Sequence, residues 1–208
     1  MPLLKSFYTV LLYVFLLILP EMASAELSTY VHKYKDVSVS AQQLKKLAQY
    51  SHLIQYFSSF SYFQPHHKVS PNFIKALILA ESGCNRYAVS PKDALGLGQI
   101  LYSTGREAAR EIYNTGRNFR FIEKQKLRDL RKEDLFDPAI NILLTCYLIA
   151  KYNYRFDGKL ELVVSAWNAG ENVDSLKIGK PAPYSETYNL IGKINGYYLF
   201  LLRLANRS

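Results

Sequence analysis

Cysteine and histidine, the residues of cross-linked and metal-bound folds, are scarce in this chain. Only 2 cysteines and 4 histidines occur among 208 residues. Two cysteines are too few for a disulfide scaffold or a four-cysteine zinc site. No histidine pair has the HExxH spacing of the zinc proteases. Both kinds of site are therefore excluded, and we expect neither a metal nor another cofactor.

Strand and phosphate-loop signals are missing as well. The sequence has no valine-rich alternating run, no repeat of fixed period and no Gly-Lys-Ser/Thr loop. Apolar residues instead recur at helical spacing, between Ser-Pro or Asp-Pro helix starts and glycine helix ends. We predict an all-α, single-domain fold, with helices over residues 41–57, 71–82, 104–115, from 138 onward, 160–169 and 186–205.

Positive charge is in excess. Lysine and arginine number 26 against 17 acidic residues, which gives a formal net charge of +9. A surplus of this kind favours an anionic partner, and charge alone leaves nucleic acid, a membrane face and an acidic polymer open. Apolar residues make up 49% of the chain, so it can bury a core and is not a disordered protein.

Residues 1–25 have the pattern of a signal peptide. Lys5 supplies a positive start, Val10 to Leu19 is an unbroken apolar run, and Ala23 to Ala25 offers small residues for cleavage. The apolar run is short for a membrane-spanning helix, although a single N-terminal anchor is the alternative. We predict export to the periplasm, with secretion as a second possibility and no stable membrane insertion after cleavage.

Glu81 interrupts the apolar pattern of its predicted helix. It follows Ile74, Leu77 and Ile78 at helical spacing, so its carboxyl group continues the buried face. Gly83 ends the helix, which places Glu81 in the last turn, where the helix dipole disfavours negative charge. Both effects raise the pKa of the carboxyl group, as a general acid requires. On periodicity alone, a helix-end glutamate paired with a lysine or arginine explains the pattern equally well.

Polar and glycine residues in the following loop indicate a carbohydrate cleft. Gly96 and Gly98 allow close backbone approach to a ligand, and Gln99 both donates and accepts hydrogen bonds, as Ser90 does. Such groups suit the hydroxyl and acetamide edge of a sugar. Trp167 and the side-chain amide of Asn168 lie at the end of a later predicted helix. Taken alone, that segment is better explained by a tryptophan that packs in the core.

Together these motifs resemble the catalytic domain of the soluble lytic murein transglycosylases, the SLT-type, lysozyme-like family. The matching residues, in the family's order, are Glu81-Ser82, Ser90, Gly96-Leu97-Gly98-Gln99, Thr104, Asp137-Pro138, Asn141, Asn168-Ala169-Gly170 and Glu186-Thr187. The resemblance covers roughly residues 70 to 195. It implies a lysozyme-like catalytic domain at 70–208, after a helical extension at 26–69.

The resemblance also implies a reaction and roles for individual residues. The family cleaves the β-1,4 bond between N-acetylmuramic acid and N-acetylglucosamine in peptidoglycan. Glu81 would protonate the glycosidic oxygen and then take the proton of the muramoyl 6-hydroxyl, so that a 1,6-anhydro ring forms without water. Ser90 and Gln99 would bind the N-acetyl group and ring hydroxyls, and Trp167 and Asn168 would line the opposite wall.

Departures from the family pattern concern substrate contacts. Trp167 stands where tyrosine is common, Gly98 where methionine is usual, and Leu190 where an aromatic residue is expected. Asp93 replaces a usual glycine, and we expect it to be a solvated loop residue. None of these differences involves Glu81.

Two other function classes stay open beside the transglycosylase. A goose-type lysozyme would share the fold and the glutamate but use water, and a non-catalytic peptidoglycan-binding protein would keep the cleft. The implied partners are peptidoglycan strands and, because small domains of this kind are often attached to one, a wall-spanning secretion or pilus machine. We expect no nucleic-acid partner and a monomeric protein.

Two further features lead to predictions. The basic segment, residues 106–133, would retain the protein on acidic stem peptides, although a solvated helix face explains it better. Export to an oxidising compartment predicts a disulfide between Cys84 and Cys146, with two buried free thiols as the alternative.

Overall fold

The computed structural model describes residues 25–65 and 67–206, so the predicted signal peptide lies outside it except for Ala25. The helices are α1 (25–33), α2 (Ala41–Gln49), α3 (Ser51–Ser58), α4 (Pro71–Ser82), α5 (Tyr102–Asn114), α6 (Lys124–Arg128), α7 (Pro138–Arg155), α8 (Leu160–Ala169), α9 (Asp174–Lys177) and α10 (Ser185–Ala205). A 3-10 helix spans Lys132–Phe136, and two short strands, β1 (Ala94–Leu95) and β2 (Ile100–Leu101), pair antiparallel. The all-α prediction is confirmed. Within the described ranges, no helix has both the length and the apolar character needed to cross a membrane.

Helix α4 begins and ends at its predicted capping residues, and helix α7 begins at its own. The Ser70 hydroxyl accepts a hydrogen bond from the Phe73 amide at 3.4 Å at the start of α4. Gly83 adopts a left-handed conformation with φ of 57° and ends that helix. The Asp137 carboxylate accepts from the Ala139 amide at 2.8 Å and starts α7. These local signals fix where the catalytic candidate Glu81 stands.

The predicted helix over 41–57 is in fact two helices, α2 and α3. The chain tightens at Tyr50, whose amide donates to the Leu47 carbonyl at 3.1 Å, a bond to the residue three positions back. The Ser51 hydroxyl donates to the same carbonyl at 3.5 Å. A serine side chain that competes for the helix carbonyls weakens the regular bonding pattern at this point.

The apolar face of α4 lies at the centre of the core. Ile74, Leu77 and Ile78 are fully buried, and the helix packs chiefly against α10. On the other side of α10, Gly192 and Gly196 lie directly against the backbone of Tyr30 and Tyr34, where an added Cβ would clash. The residues of the predicted extension therefore pack onto the helices of the predicted catalytic domain.

The predicted disulfide is wrong, because Cys84 and Cys146 are both buried free thiols. On α7, Cys146 faces α3, where its sulfur lies 3.7 Å from the Ser58 hydroxyl oxygen. In contrast, Cys84 follows the end of α4 and has the charge of Lys46, on α2, as its electrostatic neighbour. The two thiols thus have different surroundings and form no disulfide with each other. Burial raises the pKa of Cys84 to about 11 and that of Cys146 to about 12.

Thiol titration is expected to find two free thiols in the denatured, unreduced protein. In the native protein, both thiols should react slowly, because burial limits access and the thiolate is scarce at neutral pH. A thiol-reactive chromophore added before and after denaturation measures both quantities. A count of zero after denaturation would contradict the structure.

Candidate active site

Glu81 ends the buried face of α4 and meets the indole of Trp167 at the end of α8. The indole Nε1 donates a hydrogen bond to Glu81 Oε1 at 2.7 Å. Burial raises the pKa of Glu81 to about 7, against lowering by the Trp167 hydrogen bond and the charge of Lys193. The Glu186 charge raises it slightly further. The carboxyl group is therefore substantially protonated at neutral pH, in the direction that the sequence predicts.

The charge of Lys193 reaches Glu81 across the end of α4. Its Nζ, on α10, donates to the carbonyl of Ala80 at 2.6 Å, one of the carbonyls that a helix end leaves without a helical partner. Among the salt bridges of residues 25–65 and 67–206, none includes Glu81. A simple ion-paired glutamate, the alternative for this position, is thus not what the structure shows.

Trp167 contacts the candidate acid directly. The residue is half-buried, and its only polar atom is a donor that points at the candidate acid. A tryptophan can thus supply a hydrogen-bond donor where the family commonly has a tyrosine hydroxyl. Sequence reasoning missed this contact, because nothing in the local pattern shows which way the ring turns.

Asn168, next to Trp167, links the end of α8 to the first turn of α10. Its Oδ1 accepts a hydrogen bond from the Thr187 hydroxyl at 2.7 Å. Its Nδ2 has no hydrogen-bond partner in the described part of the chain and is free to bind a ligand. The neighbouring Glu186 is 62% exposed and pairs with Lys92 at 2.7 Å.

The polypeptide that follows α4 is held by two serine hydroxyl groups. The Ser82 hydroxyl donates to the carbonyl of Leu97 at 2.8 Å, which fixes the β1–β2 turn beside Glu81. The Ser90 hydroxyl accepts from the amides of Lys92 and Ala94 at 3.2 and 3.0 Å. Ser90 therefore shapes the loop and keeps only its hydroxyl proton for another partner.

Gln99 also holds this turn together. Its Nε2 donates to the carbonyls of Ala88 and Gly96 at 3.2 and 2.9 Å, and its backbone has a φ of 53°. Its Oε1 has no hydrogen-bond partner within the described ranges, so this oxygen is the atom that can meet a ligand. Ligand roles for Ser90 and Gln99 stay predictions.

The close approach expected at Gly96 and Gly98 is to α7 and not to open space for a ligand. A Cβ on Gly96 would lie 2.5 Å from Asn141 Nδ2. Asn141 is fully buried: its Oδ1 accepts from the Gly98 amide at 2.8 Å, and its Nδ2 donates to the carbonyls of Leu95 and Leu135 at 3.1 and 2.8 Å. Asn141 on α7 thus holds the β1–β2 turn in place from the core side, a role that the sequence did not reveal.

Asp93 is exposed, as expected, and part of the basic segment pairs locally. Lys132 forms an ion pair with Asp93 at 2.6 Å, in which the aspartate is 60% exposed. Arg128 pairs with Asp129 at 2.7 Å, and the Arg117 guanidinium lies 5.3 Å from the centre of the Phe60 ring. Much of the segment's charge therefore has a partner within the chain, and its role on the cell wall stays a prediction.

Comparisons with known proteins identify the family of this chain. The model of the family described as the transglycosylase SLT domain matches residues 59–186. The sequence is similar to membrane-bound lytic murein transglycosylase C of Shigella sonnei, with 33% identity over 109 residues, 49% of this chain and 27% of that protein.

Solved structures share the fold. The 70 kDa soluble lytic transglycosylase of Escherichia coli is similar over 75% of this chain and 24% of its own, with a TM-score of 0.58 and 19% identity. An inactive Glu-to-Gln mutant of lytic transglycosylase Slt from Pseudomonas aeruginosa is similar over 77% and 24%, with a TM-score of 0.52 and 19% identity. The chain spans about a quarter of the length of each of these relatives.

Proposed function

The chain belongs to the transglycosylase SLT domain family, and from this premise we propose that it is a peptidoglycan lytic transglycosylase. The observation that carries the proposal is Glu81, a half-buried carboxyl group with a pKa of about 7 at the end of α4, held by Trp167. Murein is the substrate that the relatives' names state. The inactive Pseudomonas mutant carries a glutamate-to-glutamine change, which supports an essential glutamate.

In the first step, protonated Glu81 donates its proton to the glycosidic oxygen between N-acetylmuramic acid and N-acetylglucosamine. The C1–O bond breaks, positive charge develops on the muramoyl ring, and the carboxylate remains beside it. The Trp167 N–H and the Lys193 charge stabilise this carboxylate, whereas burial disfavours it. The balance gives a pKa near the working pH, where one group can both give and take a proton.

In the second step, the Glu81 carboxylate takes the proton of the muramoyl 6-hydroxyl group. The oxygen of that hydroxyl group attacks C1 at the same time. A 1,6-anhydro ring forms, the acid is regenerated and no water is consumed. Most glycosidases need a second carboxylate. The acids Asp93 and Glu186 are both exposed and engaged by lysines, which supports an acceptor from the substrate itself.

Polar side-chain atoms that have no hydrogen-bond partner among the described residues would bind the substrate. We assign the Gln99 Oε1 and the Ser90 hydroxyl proton to the acetamide and hydroxyl edge of the sugar, and the Asn168 Nδ2 to a sugar oxygen on the other side. A peptidoglycan substrate and the signal pattern of residues 1–25 both support a periplasmic location.

Mass spectrometry of digested sacculi tests the function. The purified mature protein is expected to release muropeptides that end in 1,6-anhydromuramic acid. Reducing muramic acid ends would instead identify a goose-type lysozyme, which uses water. No release from sacculi that an established muramidase digests would identify a binding protein.

Lys193→Met is expected to move the alkaline limb of the pH–activity profile to higher pH. Only protonated Glu81 starts the reaction, so activity falls as pH rises through its pKa. Trp167, Glu186 and Lys193 are the groups that shift this pKa besides burial, and Lys193 lowers it. Removing the Lys193 cation therefore raises the pKa of Glu81.

The control for this change is Lys193→Arg, which keeps the charge. Profiles of kcat/KM on soluble glycan strands from pH 5 to 9 compare the two variants with the unchanged protein. The arginine variant should keep the original limb. An unmoved limb in the methionine variant would show that Lys193 supports only the helix end.

A further inference from the structure

The helix that carries Glu81 has a concave surface at its other end. A cavity of about 220 Å³ lies between the segment preceding α4 and the end of α7. Glu81 stands ten residues after Pro71, the first residue of α4. At a rise of 1.5 Å per residue, the start of the helix beside the cavity is about 15 Å from Glu81. We call this cavity the distal pocket. Its lining includes Phe63, Gln64, Lys68, Asn153, Tyr154 and Asp157.

Two aromatic rings form one side of the distal pocket. Phe63 and Tyr154 stack with centroids 6.0 Å apart and an angle of 8° between the rings. Tyr154 is 58% exposed, and the pair is anchored to Tyr147, whose ring centre lies 5.2 Å from that of Phe63. The protein thus holds a flat apolar surface open to solvent and fixes its orientation from below.

Polar side chains without partners complete the distal pocket. The side chains of Gln64, Lys68, Asn153 and Asp157 make no hydrogen bond or ion pair with the described residues 25–65 and 67–206. The neighbouring cations of α7 differ, because Lys151 and Arg155 both pair with Glu171. The pocket therefore offers two amides, a carboxylate and one free cation beside the aromatic pair.

We propose that the distal pocket is a second saccharide-binding site, which holds an N-acetylated sugar of a peptidoglycan strand away from the reaction centre. Convergent polar groups beside an apolar face are what a small-ligand pocket needs to fix orientation. The C–H face of a pyranose ring covers the exposed ring of Tyr154, while its hydroxyl and acetamide groups bond to Gln64, Asn153 and Asp157. The choice of ligand rests on the proposed function.

The free cation extends the match to the acidic sugar. N-acetylmuramic acid and its stem peptide carry carboxylates, and Lys68 is the positive group that can meet them. The small volume holds one ring rather than a chain. A strand bound there stays on the protein between cleavage events at Glu81, so the site contributes retention on the wall and not turnover.

Sedimentation of the Glu81→Gln protein with purified sacculi tests the site without digestion. Adding Tyr154→Ala is expected to weaken binding about tenfold, roughly 1.4 kcal/mol, whereas Tyr154→Phe should stay within about twofold because the ring face remains. Lys68→Met should weaken binding several-fold, and Lys45→Met, an equal change of charge at an exposed position of α2, should not. Thermal melts identify any variant that is not folded.

A soluble probe checks the location. Titration with the tetramer of N-acetylglucosamine should shift the side-chain amide NMR signals of Gln64 and Asn153, and Tyr154→Ala should remove these shifts. Equal binding by the alanine and phenylalanine variants, with no shift at either amide, would overturn the second site. Loss of the proposed function shows separately, as failure of the unchanged protein to release muropeptides, and leaves these binding results standing.

Discussion

Glu81→Gln is expected to lower muropeptide release by at least about a thousandfold, roughly 4 kcal/mol in barrier terms. Positioned proton transfer contributes about 10²–10⁴-fold in enzymes, and here one carboxyl group serves both the protonation and the deprotonation step. Glutamine keeps the shape and can still accept the Trp167 hydrogen bond, but it cannot cycle a proton. The variant should therefore still sediment with sacculi.

Matched amide substitutions separate this loss from a general effect of removing charge. Asp93→Asn and Glu186→Gln should cost far less, since both acids are exposed and paired with lysines. Soluble muropeptides released by each variant under identical conditions give the comparison. Should Glu81→Gln remain within about tenfold of the unchanged protein, only ~1.4 kcal/mol, the acid is misassigned and Asp93 in a water-using hydrolase becomes the candidate.

The features that could be predicted from sequence are those set by neighbours along the chain. Ser70 and Gly83 bound α4 through contacts within a few residues, so the helix and the place of Glu81 on its buried face follow from spacing. The raised pKa follows too, because burial is its largest cause. Short elements without periodicity, such as α6 and the 3-10 helix, have no such signal.

The features that could not be predicted depend on contacts between distant segments. Gly96 and Gly98 look the same in sequence whether a ligand or a helix lies against them, and only the fold brings Asn141 of α7 there. The direction of the Trp167 indole depends on how α8 meets α4. Pairing of Cys84 with Cys146 fails for a related reason: α7 turns its cysteine toward α3.

Glu81→Gln is also expected to stabilise the protein at alkaline pH, on the order of 3 kcal/mol. The pKa of Glu81 is about 7 in the folded chain, against an ordinary glutamate value of 4.5. Each pH unit between two such values is worth about 1.4 kcal/mol. Between these values the folded state binds more protons than the unfolded state, so stability falls as pH rises. The favourable contribution of Glu81 to the free energy of unfolding is fully present below the unfolded pKa. It is lost as the pH rises through 7.

Glutamine is neutral throughout, so the variant escapes this loss. The difference in the free energy of unfolding between variant and unchanged protein should be small at pH 4.5 and grow to its full value by pH 8, as urea unfolding at each pH measures. Glu186→Gln, an exposed acid on the same surface, should show no such growth. A difference that stays constant with pH would mean that Glu81 is ionised normally. The burial that makes Glu81 an acid at neutral pH would then be absent, and with it the basis of the proposed reaction.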